Sequence, residues 1–346
     1  MIPEKENPRS VDILAEETDT GTTGVSGMPS KINRYSKARH RALEITSYFK
    51  VQQNVNLFSK ISNCANYLIF RNYYTIDEVR LHAAQFCKKH LICPMCAIRR
   101  GAKMLKAYLA KYEQVSRTFP VLTPYLVTLT VKNGDDLAER MQHLRASMRK
   151  MTESRRNALK GQLFVQFAHS AGGFHSIEVT NRGNGWHPHV HMIWLCEINP
   201  DQAQLSKEWQ AITGDSFIVD VRLLHDPVEG FLEVCKYALK FSDLSLEHNY
   251  HAFEVMSGMR LIDSHGCMRG VVIPENLLDD SLDDLPFVEL LYRYFVGSGY
   301  SFMGIVEHKC TSFNNTEKCI TKQKIDLQNS NIAMKNPFSA FQNPKT

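Results

Sequence analysis

Residues Trp186-His187-Pro188-His189-Val190-His191-Met192-Ile193-Trp194 place three histidines at every second position of a strand-like segment. A β-strand sends alternate side chains to opposite faces, so His189 and His191 share one face while Val190, Met192 and Trp194 line the other against a core. Two imidazoles on one sheet face are half of a metal site. A half-exposed strand that carries histidine without an ion fits the same residues, and the rest of the chain decides between the two.

The chain of 346 residues, 43% hydrophobic and 22% charged, can bury one sizeable core with a smaller satellite module. It has no run of about 18 apolar residues and no basic start followed by an apolar stretch, which predicts no membrane span, no secretion signal and a cytoplasmic location. Net charge is only +5, but it is unevenly spread. From Val79 to Tyr112 there is no acidic residue, while Arg80, Lys88, Lys89, Arg99, Arg100, Lys103, Lys106 and Lys111 all fall there. Such a window suits a phosphate backbone better than a solvated face, and Lys88, Lys89, Arg99, Arg100 and Lys103 are the expected DNA contacts.

Nine cysteines without a secretion signal read as thiols or metal ligands rather than a disulfide frame. Cys93-Pro94-Met95-Cys96 has the spacing that lets two thiolates grip one tetrahedral zinc, and Cys87 and Cys64 complete a four-sulfur set. His82 or His90 can stand in for the distant Cys64, and buried free cysteines beside a helix start are the plain alternative. The position of this pair in the acid-free window favours a DNA-binding module over a redox centre.

Residues 1–30, rich in Glu, Thr, Gly and Ser, are expected to be a disordered tail. Residues 31–117 are expected to form a basic, helical and cysteine-rich module, with helical patterns from about Lys31 to Lys60 and from Gly101 to about Arg117. A main domain with a C-terminal extension is expected over 118–305, and a polar tail over 306–346. In the main domain Tyr125–Val131 reads as a strand, and Asp136 caps a long helix running to about Lys160. Phe174–Thr180 is a second strand, with Ser176 and Glu178 on one face; the histidine segment is the third. Phe217–Val221 is the fourth, after a helix near 201–212. Four strands with long intervening helices predict an α+β fold, a central antiparallel sheet flanked by helices, with an N-terminal cysteine-rich module. Tyr292–Phe302 reads as a hairpin that extends the sheet.

Pro227 opens a helix expected to run to about Phe241. Phe231, Leu232, Cys235, Ala238 and Leu239 form its apolar stripe, and Glu233, Lys236, Tyr237 and Lys240 stand opposite. At i and i+4, Glu233 and Tyr237 would be neighbours. A phenol with a pKa of about 10 attacks phosphorus poorly at neutral pH unless positive charge stabilises the phenolate. Lys236, Lys240 and a divalent ion are the candidates for that charge.

The order Tyr125-Leu126-Val127-Thr128-Leu129-Thr130, then His187-Pro188-His189-Val190-His191, then Glu233-Val234-Cys235-Lys236-Tyr237-Ala238-Leu239-Lys240 resembles the three motifs of the rolling-circle plasmid replication initiators (Rep), members of the HUH endonuclease superfamily. The Cys87–Arg100 block and Gly258-Met259-Arg260-Leu261-Ile262 also resemble parts of that family, and the resemblance spans about residues 60–305. It implies the HUH plan, an RRM- or ferredoxin-like sheet, and a metal-dependent, single-tyrosine, site-specific DNA endonuclease and strand transferase. In that scheme Tyr237 attacks one phosphodiester at the double-strand origin, leaving a 5′-phosphotyrosyl link and a 3′-OH primer before strand rejoining or termination. His189 and His191 hold Mg2+ or Mn2+, Glu178 is the candidate third ligand, and His187 is either a ligand or a neighbour. Glu233 activates water for a second cleavage that ends the round. The implied partners are plasmid origin DNA with a single-stranded or hairpin nick site, a host DNA polymerase and, since the chain has no P-loop motif, a host helicase; no membrane is implied.

A HUH transposase or relaxase shares the metal strand. Two-tyrosine transposases carry a second tyrosine one helical turn from the first, where this chain has Glu233 and Phe241, and relaxases place the tyrosine before the histidines. From another class, a non-catalytic zinc protein that binds DNA, with structural histidines, is the alternative; metal-dependent strand cleavage separates it.

Overall fold

The computed structural model describes residues 24–51, 54–236, 244–282 and 285–306. The first 23 residues of the expected N-terminal tail and residues 307–346 of the expected polar tail lie outside them. In chain order the elements are α1 (Met28–Val51), α2 (Val55–Ser62), β1 (Tyr67–Tyr73), β2 (Glu78–Ala83), α3 (Pro94–Thr118), β3 (Thr123–Thr130), α4 (Leu137–Ala158), β4 (Ser170–Asn181), β5 (Trp186–Cys196), α5 (Gln202–Thr213), β6 (Val219–Leu223), α6 (Pro227–Cys235), α7 (Leu246–Met256), β7 (Ile262–Gly266), β8 (Val288–Phe295) and β9 (Gly299–Val306). Two compact units emerge within the described residues. One holds 37–64 and 86–277, the other 24–36, 65–85 and 278–306.

The larger unit is the expected α+β layer structure. Its five strands are antiparallel in the order β6-β3-β5-β4-β7, so the histidine strand lies in the middle. A central strand is covered on both faces, which explains why β5 becomes apolar on both sides after His191. Met192 and Trp194 face the side of α4, whose buried stripe Leu137, Met141, Leu144, Met148 and Met151 recurs at helical spacing. Trp194 stacks on Phe167 at 4.8 Å, and buried Trp209 of α5 donates its indole N–H to Thr130 O at 2.6 Å. On the other face Ile193 and Leu195 join Leu126 and Phe174 in one core with Met104, Leu105 and Tyr108 of α3 and Phe231, Val234 and Cys235 of α6. Burying each such side chain stabilises the fold by roughly 1.5–3 kcal/mol.

The smaller unit contains a second sheet, β2-β1-β8-β9. Tyr292–Phe302 is the expected hairpin, but it does not extend the main sheet; β8 pairs with β1 over Tyr67–Asn72. Residues from late in the chain bond to β1 and β2 here. Arg71 meets Glu289 at 3.1 Å, Arg80 bonds Glu78 and the Asp280 carbonyl, and Asp279 accepts from Leu81 N–H.

Several boundaries differ from the sequence expectation for local reasons. Asn54, capping α2 through Leu57 N–H, divides the first helical stretch. Cys93 is the N-cap of α3 and Pro94 its first residue, so this helix starts before Gly101. The strand expected at Phe217–Val221 begins at Val219, and β1, β2, α7 and β7 were not anticipated. Finally, α6 begins at Pro227 with Asp226 as its cap but ends at Cys235, because Lys236 takes an extended ψ of 163°. The i, i+4 adjacency expected for Glu233 and Tyr237 therefore does not follow from α6, and residues 237–241, over which the helix was expected to continue, lie outside the described residues. Among the described residues no helix is long and apolar enough to cross a membrane.

Candidate active site

Strand register builds the site. Glu178 of β4 stands directly opposite His189 of β5, and Thr128 of β3 stands opposite His191 on the other side. Opposed side chains have Cβ atoms about 4.5–5.5 Å apart, so pairing alone gathers a carboxylate beside two imidazoles. All three are buried, Glu178 at 3% exposure and each histidine at 8%. One donor atom from each lies within 4.8 Å of the others, and Glu178 Oε2 is 3.4 Å from His191 Nε2 and 3.7 Å from His189 Nε2. These gaps are long for direct hydrogen bonds. They suit two donors about 2.1 Å from one shared ion, which stand roughly 3.0–3.6 Å apart at ligand–metal angles of about 90–120°.

Outer partners orient the rings. His189 Nδ1 lies 3.2 Å from the His187 carbonyl oxygen; a carbonyl only accepts, so Nδ1 carries the proton and Nε2 turns its lone pair toward Glu178. His191 Nδ1 lies 3.1 Å from Thr128 Oγ1. The sequence reading gave Thr128 no role of its own, because its place opposite His191 depends on strand register. His187 stays outside the three-residue cluster. Its Nδ1 bonds Asn133 Oδ1 at 2.6 Å and its ring stacks on His189.

From the last turn of α6, Glu233 Oε1 comes within 3.8 Å of His191 Nε2, and Lys236 Nζ sits 2.7 Å from Glu233 Oε2. Burial pushes the Glu233 carboxyl up, but the hydrogen bond and charge of Lys236, with the charge of His191, outweigh it and hold the group below its ordinary value. Glu233 is therefore an ionised base at neutral pH, and Lys236 is engaged with it. Tyr237 and Lys240 lie outside the described residues.

Four thiols converge elsewhere in the same unit. Sγ separations are 3.6 Å for Cys64 and Cys96, 3.5 Å for Cys87 and Cys96, and 3.7 Å for Cys64 and Cys93, and all four are free thiols. Sulfurs about 2.3 Å from one tetrahedral zinc stand about 3.8 Å apart. Hydrogen bonds from the other three thiols draw Cys87 well below its ordinary value, while the bonds from Cys64 and Cys87 push Cys96 up. His82 is not needed as a substitute ligand and instead lies 3.7 Å from Glu289; His90 is exposed.

The expected DNA contacts divide by burial. Lys88 and Lys89 are exposed, and Arg100 donates to the Pro274 carbonyl at 2.9 Å. Arg99 and Lys103 are only 2% and 7% exposed, and Arg99 Nε donates to Leu277 O at 2.8 Å. These two stand one turn apart on the inward side of α3.

Comparison with known proteins places these features in a family. Residues 78–286, more than half of the chain, match the profile of the family described as Replication protein. The chain is 25% identical over 269 residues to Protein rep of Bacillus amyloliquefaciens, covering 66% of this chain and 76% of that protein. It is 26% identical over 238 residues to Protein rep of Streptococcus pneumoniae serotype 2 (strain D39 / NCTC 7466), covering 63% and 71%, and 22% identical to Protein rep of Staphylococcus aureus, covering 61% and 94%. No solved structure matches it. Glu178, His189, His191 and Glu233 all fall inside the matched segment, the resemblance carried by the motifs holds, and the chain belongs to the replication protein family, the Rep proteins.

Proposed function

We propose that this Rep protein initiates rolling-circle plasmid replication by nicking one strand at a double-strand origin, with Tyr237 as nucleophile. The observation that carries the reading is the Glu178, His189 and His191 cluster with Glu233 beside it, a set of imidazole and hard oxygen donors suited to a divalent ion and, through it, a phosphodiester. Magnesium or manganese held there supplies polarisation of the scissile phosphate and offsets charge in the transition state. Tyr237 directly follows Lys236 in sequence, and Lys236 Nζ bonds Glu233. The phenolate oxygen forms its bond to phosphorus as the P–O3′ bond breaks, and the 3′ oxygen takes up a proton, giving a 5′-phosphotyrosyl link and a 3′-OH primer. Lys240 stabilises the phenolate, and exposed Lys88 and Lys89 contact the origin backbone. Glu233 takes a proton from water in the cleavage that closes the round. Zinc is the ion we read for the four thiols, and a host helicase and polymerase supply unwinding and synthesis.

Purified protein incubated with an origin-bearing supercoiled plasmid and Mg2+ or Mn2+ should give nicked circles with protein on the 5′ end. Tyr237→Phe should abolish the adduct, whereas Glu233→Gln should still nick but release poorly. Unimpaired nicking by the Tyr237→Phe protein removes the nucleophile assignment, and cleavage that survives chelation removes the metal.

A further inference from the structure

We infer that a zinc ion held by Cys64, Cys87, Cys93 and Cys96 is a strut that sets the position of α6, and with it Glu233, against the main sheet. The inference rests on the zinc reading above and is independent of the tyrosine chemistry. Its ligands come from three separate places: just past α2, the turn before α3, and the first turn of α3 itself. Lys88 adopts a φ of 57° in that turn, and Cys93 N–H closes it on Lys89 O at 2.7 Å. Cys87 N–H points at Cys64 Sγ from 3.4 Å, and Cys93 and Cys96 occupy the N-cap and first turn of a long helix. Amide donors and the positive end of a helix favour thiolates, and soft thiolates select zinc over magnesium.

The knot thereby pins the start of α3, and α3 holds α6. A Cβ on Gly101 would stand 2.9 Å from Cys235 O, so the two backbones nearly touch there. Further along, Tyr112 packs edge-on against Phe231 at 5.3 Å. The helices thus run in opposite directions, and the last turn of α6 leans on the part of α3 nearest the zinc; Gly101 is five residues past Cys96, about 7.5 Å along the helix. Glu178, His189 and His191, by contrast, come from β4 and β5, and ladder hydrogen bonds place them. Zinc loss should displace the base while sparing the ion ligands.

The test uses the full-length chain. Wild-type protein dialysed against a chelator should retain one zinc, and Cys96→Ser none. In Cys96→Ser, amides of residues 227–235 should exchange with deuterium about tenfold faster, while those of β5 and the Mn2+ affinity of the histidine site stay close to wild type. Gly101→Val guards against a misfolded cysteine variant: it should keep its zinc and show the same loosening of α6. A wild-type protein that holds no zinc, or holds iron in its place, removes the ion assignment. Zinc loss with unchanged exchange in α6 removes the strut, as does exchange in β5 and Mn2+ affinity failing in step with α6. No readout depends on DNA cleavage, so failure of the proposed nicking would be seen separately.

Discussion

Thr128 meets His191 at the ring nitrogen that does not face Glu178, so a single hydroxyl decides how that imidazole presents its other nitrogen. Thr128→Val is nearly isosteric and removes only the hydrogen bond. It should weaken Mn2+ binding about 10–100-fold, read by titration of the full-length chain, while Thr128→Ser keeps most of the affinity. Unchanged affinity in the valine variant would show that packing alone holds the ring. Glu178, His189 and His191 were legible in the sequence because period-two alternation assigns each to a strand face without knowledge of anything distant. Thr128 was not, since which residue lies opposite His191 is a matter of register between strands far apart in sequence. Arg99 and Lys103 erred the other way. Their charge pointed to a nucleic acid, but their side of α3 points inward.

The starts of α4 and α6 were written in the chain, and the end of α6 was not. Asp136 accepts from both Ala138 N–H and Glu139 N–H at the start of α4, and Asp226 accepts from Val228 N–H ahead of Pro227 at the start of α6. Asp136→Ala should cost about 1 kcal/mol, seen as a lower urea midpoint at unchanged slope, and Asp136→Asn should recover most of it. An alanine variant as stable as wild type would mean that packing of the methionine stripe alone anchors α4. The end of α6 carries no glycine or asparagine, and the chain leaves the helix through the ψ of Lys236. Helical spacing drawn through Tyr237 was thus an extrapolation that the described helix does not support.

Across the larger unit, the β4–β7 edge makes stability depend on pH. His175 pairs in register with Asp263, and His265 with Gly173. Burial lowers His175 to about 4, against a smaller opposing pull from Asp263 and with Arg260 adding to the fall. Burial, Arg155, His175 and Arg269 lower His265 to about 3. Both values lie below the 6.5 of a free imidazole, so on acidification the unfolded chain takes up protons first. Their contribution is complete above about pH 6.5 and is lost as pH falls toward 4 and then 3, at most about 1.4 kcal/mol per pH unit for each ring. Urea midpoints at pH 7 and pH 5 should therefore differ, and His265→Gln should flatten the difference; a pH dependence untouched by that change would place its origin in other groups. By itself the sequence determined what depends on near neighbours: the alternating faces of the histidine strand, the capped helix starts, the methionine stripe of α4, and the paired cysteines at 93 and 96. Tertiary structure alone decided that Glu178 rather than Ser176 faces His189, that β7 closes the sheet, that the hairpin joins β1, and that Cys64 reaches Cys96. Such partners are far apart along the chain, and bringing them together depends on loop closure and shared burial, which no local pattern records.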